Sequence, residues 1–452
     1  MTWANKTAFF LLCVSLIVAT LAYGAVHQPV IALFYIAMAA VAVLWAVDCL
    51  LTGTIRYSRT SLQLPIILAA AYGVFQVIPF GSVAETAGLE AIPRTISVFP
   101  FATIQSALHF IALLIFFAGM LVSLDRAARI RKVAGLVTIF GFGFAFFAIL
   151  QSVLSPDKIY GIYETRFGSP FGSFVNRHNF AAFMEMSMAV PLGLLFTGAV
   201  AKDKRLLYVT AVALMGVALL LSGSRGGLVA FFAQLVFLVL VTVGSRNRRN
   251  LALKFALVAV LFAAIVGGSF FVGGETSLSR IAETAASKDV TTDRAHIWSV
   301  SLKVIFANLP FGAGLGAFGV AYTPFDTNSG LERVEQAHND YLQVAADAGL
   351  PGLLIGAAFL FFLYRTGRTS IRVENTYRRG IAVGAFAGMF AVLVHSIFDF
   401  VLHTTAISLL FLTITALMVA SGSSYEDDTE GEIRPHRKRP REGKARVSPF
   451  KR

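Results

Sequence analysis

The stretch LLYVTAVALMGVALLLSGSRGGLVAFFAQLVFLVLVTV, Leu206 to Val243, decides the fold class. On either side of Ser222-Gly223-Ser224-Arg225-Gly226-Gly227 lies an apolar run without a single Asp, Glu, Lys or Arg. Each run approaches the roughly 20 residues that carry an α-helix across the hydrocarbon core of a bilayer. Backbone polar groups in lipid have to be satisfied within the segment itself, so two such runs joined by a short polar turn read as a helical hairpin in a membrane.

The rest of the chain repeats this pattern. Of its 452 residues 56% are hydrophobic and only 14% charged, with a mean hydropathy of +0.72, which excludes an ordinary soluble enzyme. About twelve segments qualify as spans: 8–26, 30–51, 62–79, 103–123, 133–154, 178–199, 206–222, 226–243, 251–273, 350–364, 380–400 and 403–421. The expected fold is an all-α integral membrane protein. The run 8–26 behind Lys6 also has the form of a signal peptide ending near Ala22-Tyr23-Gly24-Ala25, but the next span follows at once, so it is read as a retained helix. Cys13 and Cys49 fall inside apolar runs without ligand-spaced neighbours, as packing residues do.

A net charge of +13 would point to nucleic acid in a soluble protein, but here its placement sets topology instead. Nineteen of the 38 Lys and Arg residues fall on one side of the spans, in the connections holding Arg56, Arg126, Lys202, Arg246 and Arg365 and at Lys6, against ten on the other side. Positively charged loops stay in the cytoplasm, so both termini are expected inside.

The expected organisation is nine spans over residues 1–273, a long periplasmic loop over 274–349, three spans over 350–421 and a disordered basic cytoplasmic tail over 422–452. The loop is too long for a turn and is expected to contain short helices. One of these, capped by Asp293 and running from Arg294 to about Asn308, has an apolar face at Ile297, Trp298, Ser301 and Ile305 suited to lying on the membrane surface.

Polar residues gather at the outer ends of the spans. Arg225 stands among small residues that let a bulky anion approach the backbone, with snorkelling to lipid phosphate as the ordinary alternative. Asn176 and Arg177 crowd the start of another span, where helix capping is the ordinary alternative. His338, followed by Asn339 and Asp340, supplies an imidazole able to accept a proton near neutral pH. His395 and Asp399 are spaced to share one helix face inside a span. Gly314-x-Gly316-x-x-Gly319 matches a dinucleotide fingerprint by letter, but no strand precedes it, and it is read as a flexible or close-packing loop. No motif supports nucleotide hydrolysis or a metal, so neither metal nor cofactor is expected.

Taken together, these motifs resemble the O-antigen ligase and O-antigen polymerase family of bacterial envelope glycosyltransferases, across nearly the whole membrane portion. The resemblance rests on Val175-Asn176-Arg177-His178-Asn179-Phe180-Ala181, on Ser222-Gly223-Ser224-Arg225-Gly226-Gly227, and on Arg294-Ala295-His296-Ile297-Trp298 followed by Pro310-Phe311-Gly312-x-Gly314. It continues through Ala337-His338-Asn339-Asp340-Tyr341-Leu342 to His395-Ser396-x-x-Asp399-Phe400. The family reads Asn-Arg-Asn-His where this chain has Asn176-Arg177-His178-Asn179, which leaves a ligand role for His178 or Asn179 open.

The resemblance implies a GT-C-like membrane fold. It also implies transfer of a glycan from an undecaprenyl-diphosphate carrier to a hydroxyl acceptor, lipid A-core or another glycan, at the periplasmic face of the inner membrane. By the same resemblance Arg225 and Arg294 clamp the donor diphosphate and His338 is the catalytic base. Asn176, Arg177, Asn339, Asp340, His395 and Asp399 are then substrate contacts or structural supports, and the partner that orients His338 is open. The implied partners are the lipid-linked donor, the acceptor and membrane lipids, with no nucleic acid. Ligation to lipid A-core is the preferred activity, with polymerisation of the carrier-linked glycan as the alternative. A secondary transporter or polysaccharide exporter is more remote, since the polar residues gather at helix ends rather than in repeated halves, and a noncatalytic envelope scaffold is the third reading.

Overall fold

The computed structural model describes residues 1–81, 93–165, 169–242, 254–268, 294–327 and 333–423. The expected cap Asp293 with the whole loop segment 274–293, the cationic loop at Arg246 and the basic tail lie outside the described residues. The helices are α1 (Trp3–Leu21), α2 (Gln28–Thr52), α3 (Gln63–Gln76), α4 (Pro100–Ser123), α5 (Ala127–Leu154), α6 (Arg177–Thr197), α7 (Arg205–Leu221) and α8 (Arg225–Thr242). After α9 (Lys254–Gly268) come α10 (Arg294–Ala307), α11 (Phe318–Tyr322), α12 (Asp340–Ser370), α13 (Thr376–His395) and α14 (Thr405–Gly422). A short antiparallel hairpin, β1 (Lys158–Ile159) with β2 (Tyr163–Glu164), joins α5 to α6.

Ten of these helices are long and apolar enough to cross a membrane, and the chain is an all-α integral membrane protein. Leu33, Ile36, Val43 and Leu50 of α2 stand exposed, a row of side chains that lipid solvates and water would not. Two of the expected twelve spans hold shorter helices among the described residues. The 14 residues of α3 span about 21 Å at 1.5 Å per residue, short of a hydrocarbon core of about 30 Å. Buried Gln76 ends α3: its amide donates to the carbonyls of Phe311 and Asp347 at 3.0 Å each and accepts from the Leu315 N–H at 3.0 Å. The other short helix, α9, is bounded at both ends by residues outside the described set.

At the centre α6 packs against α13 at backbone contact. A Cβ added at Gly384 would lie 2.2 Å from the Ala189 carbonyl oxygen, and one at Gly193 would lie 2.2 Å from that of Gly380. Lipid tails are as apolar as leucine, so association within a bilayer depends on such close approach of small residues. The opposite end of the bundle from α10 and α11 is tied by charge. Arg56 bridges Asp48 at 2.7 Å and Asp125 at 3.4 Å, and buried Arg129 donates to Asn5 Oδ1 at 2.7 Å.

The segment between α9 and α12 builds a small core of its own. Val300 and Val304 of α10 are buried with Phe318, Tyr322 and Ala337, and Ile297 and Ile305 pack against them. The apolar face of α10 expected on the membrane surface is therefore covered by the chain itself. The stretch 310–316 is close-packed rather than flexible: the Gly314 N–H donates to the Asp347 carbonyl at 2.9 Å and the Gly316 N–H to Asp347 Oδ2 at 3.1 Å. Helix α12 starts inside the expected loop, at Asp340, and bends at Gly349 (φ 58, ψ −148) just before Pro351.

A methyl group at Gly384 meets backbone that cannot move aside. Overpacking of this kind costs about 1–3 kcal/mol, so Gly384→Ala is expected to lower the unfolding temperature in detergent by several degrees. Gly356→Ala, with no atom within 4 Å of the new methyl, is expected to leave it unchanged or raise it slightly. Equal melting of the two variants would remove the close-approach argument.

Candidate functional site

Three helix starts meet one turn between helices. The first start is that of α6. Phe171 and Phe174 exchange backbone hydrogen bonds at 3.1 Å across Gly172, whose φ of +58 closes the turn. Asn176 then caps α6, its side chain accepting from the His178 N–H at 2.9 Å. This cap puts the His178 ring between Ser224 and Asp399: Nδ1 lies 2.8 Å from Ser224 Oγ and Nε2 lies 3.7 Å from Asp399 Oδ2. Asn179 instead turns inward to Thr404 Oγ1 at 2.7 Å.

The second start is that of α8. Ser224 Oγ accepts from the Gly227 N–H at 3.1 Å, which is the geometry of an N-cap, so the hydroxyl that holds His178 also starts α8 at Arg225. Gly226 and Gly227 let the backbone of α8 lie against a buried pair, His395 and Glu185. A Cβ at Gly226 would lie 3.2 Å from His395 Nε2, and one at Gly227 would lie 3.1 Å from Glu185 Oε1. Gly223, before the cap, has its Cβ position 3.5 Å from an Arg177 guanidinium nitrogen, which brings Arg177 beside the same turn.

The third start is that of α10. Arg294 donates to the Phe398 carbonyl at 2.6 Å and to Asp399 Oδ2 at 3.0 Å, two of the five N–H groups a guanidinium carries.

The turn they meet, residues 396–404, also receives His338 at the entry to α12. Its Nδ1 lies 3.2 Å from Asp399 Oδ1 and its ring stands edge-on to Phe400 at 4.9 Å. His338 has φ +49, a conformation that non-glycine residues hold only where surroundings impose it. Here Asn339 caps α12 through the N–H groups of Tyr341 and Leu342 and reaches the Ile397 carbonyl at 2.9 Å, while the Asp340 N–H donates to the Ser396 carbonyl at 2.9 Å.

Asp399 is the hub. It is 1% exposed and accepts from the Phe400 N–H at 2.9 Å in addition to His338 and Arg294. Burial alone would favour its neutral form, but the hydrogen bond from His338 and the charge of Arg294 outweigh this and hold the carboxyl well below the usual carboxylate range. With Nδ1–H donated to Asp399, the Nε2 lone pair of His338 is left for a ligand. The His338 side chain is 32% exposed while its carboxylate partner is almost wholly covered.

The partner of His338 is therefore Asp399, and Asp340, its near neighbour in sequence, goes elsewhere. Asp340 accepts from His403 Nδ1 at 2.7 Å, from Ser396 Oγ at 2.7 Å and from the Leu402 N–H at 3.2 Å. The helix face expected to be shared by His395 and Asp399 does not form either. Helix α13 ends at His395, residues 396–399 turn, and His395 bonds Glu185 at 2.9 Å with both side chains fully buried.

Reading along the chain left the role of His178 open and gave none to Ser224 or His403. Their membership follows from how α6, α8 and the 396–404 turn pack. Among the described residues no group of three or more His, Cys, Asp or Glu side chains is arranged to hold a metal ion.

The chain matches the family model described as O-Antigen ligase over residues 210–357. That range contains Arg225, Arg294 and His338 and stops before Asp399. No curated protein matches the chain.

Removing one member of a buried pair strands the other, at a cost of about 3–5 kcal/mol. Glu185→Ala is expected to melt well below wild type in detergent, with Glu185→Gln, which keeps a hydrogen-bond partner for His395, between the two. A wild-type melting temperature for Glu185→Ala would show that the pair does not support the fold.

Proposed function

We propose that this chain, which belongs to the O-antigen ligase and polymerase family by its domain at residues 210–357, transfers a glycan from an undecaprenyl-diphosphate carrier to a hydroxyl of lipid A-core. The observation that carries the reading is one half-buried imidazole, His338, backed by a buried ionised carboxylate, Asp399, which also holds Arg294. The site lies at the periplasmic end of the bundle, with both termini cytoplasmic, in agreement with the distribution of Lys and Arg along the chain.

His338 Nε2 takes the proton from the acceptor hydroxyl as its oxygen attacks C1 of the donor sugar. Asp399 keeps the proton of the free ring on Nδ1 and stabilises the imidazolium that forms, as the carboxylate does in a Ser-His-Asp triad. The bond from C1 to the diphosphate oxygen breaks and its electron pair leaves with the undecaprenyl diphosphate. Negative charge grows on that leaving group, and cations fixed in place beforehand stabilise it most.

Arg225 stands at the first position of α8, where the positive end of the helix dipole favours an anion. Arg294 brings its remaining N–H donors to the same anion from α10. Arginine offers a planar fork to phosphate and stays charged at every working pH. Asn176, Arg177 and Asn339 serve by shaping the helix starts. Polymerisation differs only in the acceptor, a second carrier-linked glycan.

The test is transfer in vitro from a defined undecaprenyl-diphosphate glycan, with lipid A-core and a second donor offered in parallel. His338→Ala is expected to lose transfer. Asp399→Asn is expected to lose roughly 10⁴-fold in rate, since the wrong tautomer is then favoured at the base. Arg225→Lys is expected to fall with Arg225→Ala, because an ammonium lacks the fork. Full activity in His338→Ala would end the assignment of the base, and product on the second donor alone would make the protein a polymerase.

A further inference from the structure

The turn between α13 and α14 and the start of α12 exchange histidines and carboxylates. The turn supplies Asp399 to His338, and the start of α12 supplies Asp340 to His403. The second pair is built with the same economy as the first. Asp340 is covered, at 8% exposure of its side chain, and is fixed by Ser396 Oγ and the Leu402 N–H. The His403 ring, in contrast, keeps 36% of its side chain accessible, so a ligand can reach it. Its Nδ1 is committed to Asp340, which leaves Nε2 as the ring's hydrogen-bonding atom for a ligand. A tie between two helices needs no open ring.

The surroundings of the two imidazoles differ. His338 shares Asp399 with His178 and Arg294, and Arg177 and Arg225 lie at the turn that holds His178. His403 is within electrostatic reach of Asp347 and of His109 on α4, and His109 Nδ1 lies 3.3 Å from the Tyr35 hydroxyl on α2. Arginine forks suit a diphosphate. Imidazole and phenol groups, which donate and accept through single atoms, suit sugar hydroxyls.

Resting on the transferase reading above, we infer that His403, oriented by Asp340, hydrogen-bonds a hydroxyl of the acceptor glycan and so helps choose and place the acceptor. Burial works against a charge on His403, but the hydrogen bond and charge of Asp340, with the charge of Asp347 behind them, raise its affinity for a proton above the ordinary histidine value. In its protonated form the ring donates from Nε2 to an acceptor oxygen that keeps its own proton, while His338 takes the proton of the attacking hydroxyl.

The experiment titrates purified full-length protein with two glycans free of lipid and phosphate, core oligosaccharide and repeat-unit oligosaccharide, and separately with undecaprenyl diphosphate, which carries no sugar. Wild type, His403→Ala and His403→Gln are compared, with thermal unfolding to verify that each variant is folded. Loss of one charge-assisted hydrogen bond predicts about tenfold weaker binding of a glycan to both variants, with undecaprenyl diphosphate bound as in wild type. In the transfer assay the same variants are expected to show a raised acceptor KM with donor KM and kcat near wild type.

Unchanged glycan affinity, an effect on undecaprenyl diphosphate alone, or no glycan binding by wild type each overturns the assignment. Glycan binding that depends on His403 in a protein that performs no transfer would instead count against the transferase reading and leave the glycan contact standing.

Discussion

A carboxylate withdrawn from water costs several kcal/mol unless cations and N–H donors surround it, and Asp399, almost wholly buried, draws its compensation from several separate elements. His178 comes from α6, Arg294 from α10 and His338 from the entry to α12, while the Phe400 N–H belongs to the same turn. None of these groups is close to another in the chain. The charge can be tolerated only when those helices have docked, so assembling the bundle and assembling the site are one event. That coupling also explains how a histidine is held at positive φ: the groups on either side of it are already bonded to the turn.

Beneath this hub the packing is governed by glycine. Gly193, Gly384 and Gly388 bring α6 and α13 to backbone contact, and Gly226 and Gly227 lay α8 across the buried Glu185–His395 pair. The same Ser-Arg-Gly-Gly stretch thus does two things at once. Its serine caps a helix and holds His178, and its glycines allow the helix that carries Arg225 to sit close to the turn that carries Asp399. A site supported by helix starts and a close-packed core keeps its groups in place without help from substrate, which is what electrostatic stabilisation of a leaving group requires.

The two reciprocal pairs divide the chemistry by charge. Around Asp399, Arg294 is paired with the carboxylate and Arg177 and Arg225 lie at the neighbouring turn, which suits the diphosphate of the proposed donor. Around Asp340 one imidazole meets one carboxylate, and the pair is close to neutral, which suits an uncharged sugar. Both pairs hang from residues 338–340 and 396–404, so a substitution that shifts this interlock is expected to disturb the proposed base, clamp and acceptor contact together.

Hydropathy alone determined that this chain is a bundle of membrane helices, because lipid admits no other way to satisfy the backbone of long apolar segments. It also placed Arg225 at the end of a span, the Asp293 cap placed Arg294 at the start of a loop helix, and the cap Asn176 is legible from residue type. Which helices touch was not legible. Every lipid-soluble helix has much the same apolar surface, and hydropathy carries no information on lateral packing. The bond from His338 to Asp399, 61 residues on, the recruitment of His178 in place of Asn179, the pairing of Glu185 with His395 across 210 residues and the diversion of Asp340 to His403 were decided only in three dimensions. The physical reason is the same in each case: a buried polar group takes the partner that packing brings within 3 Å or so, and sequence separation says nothing about that distance.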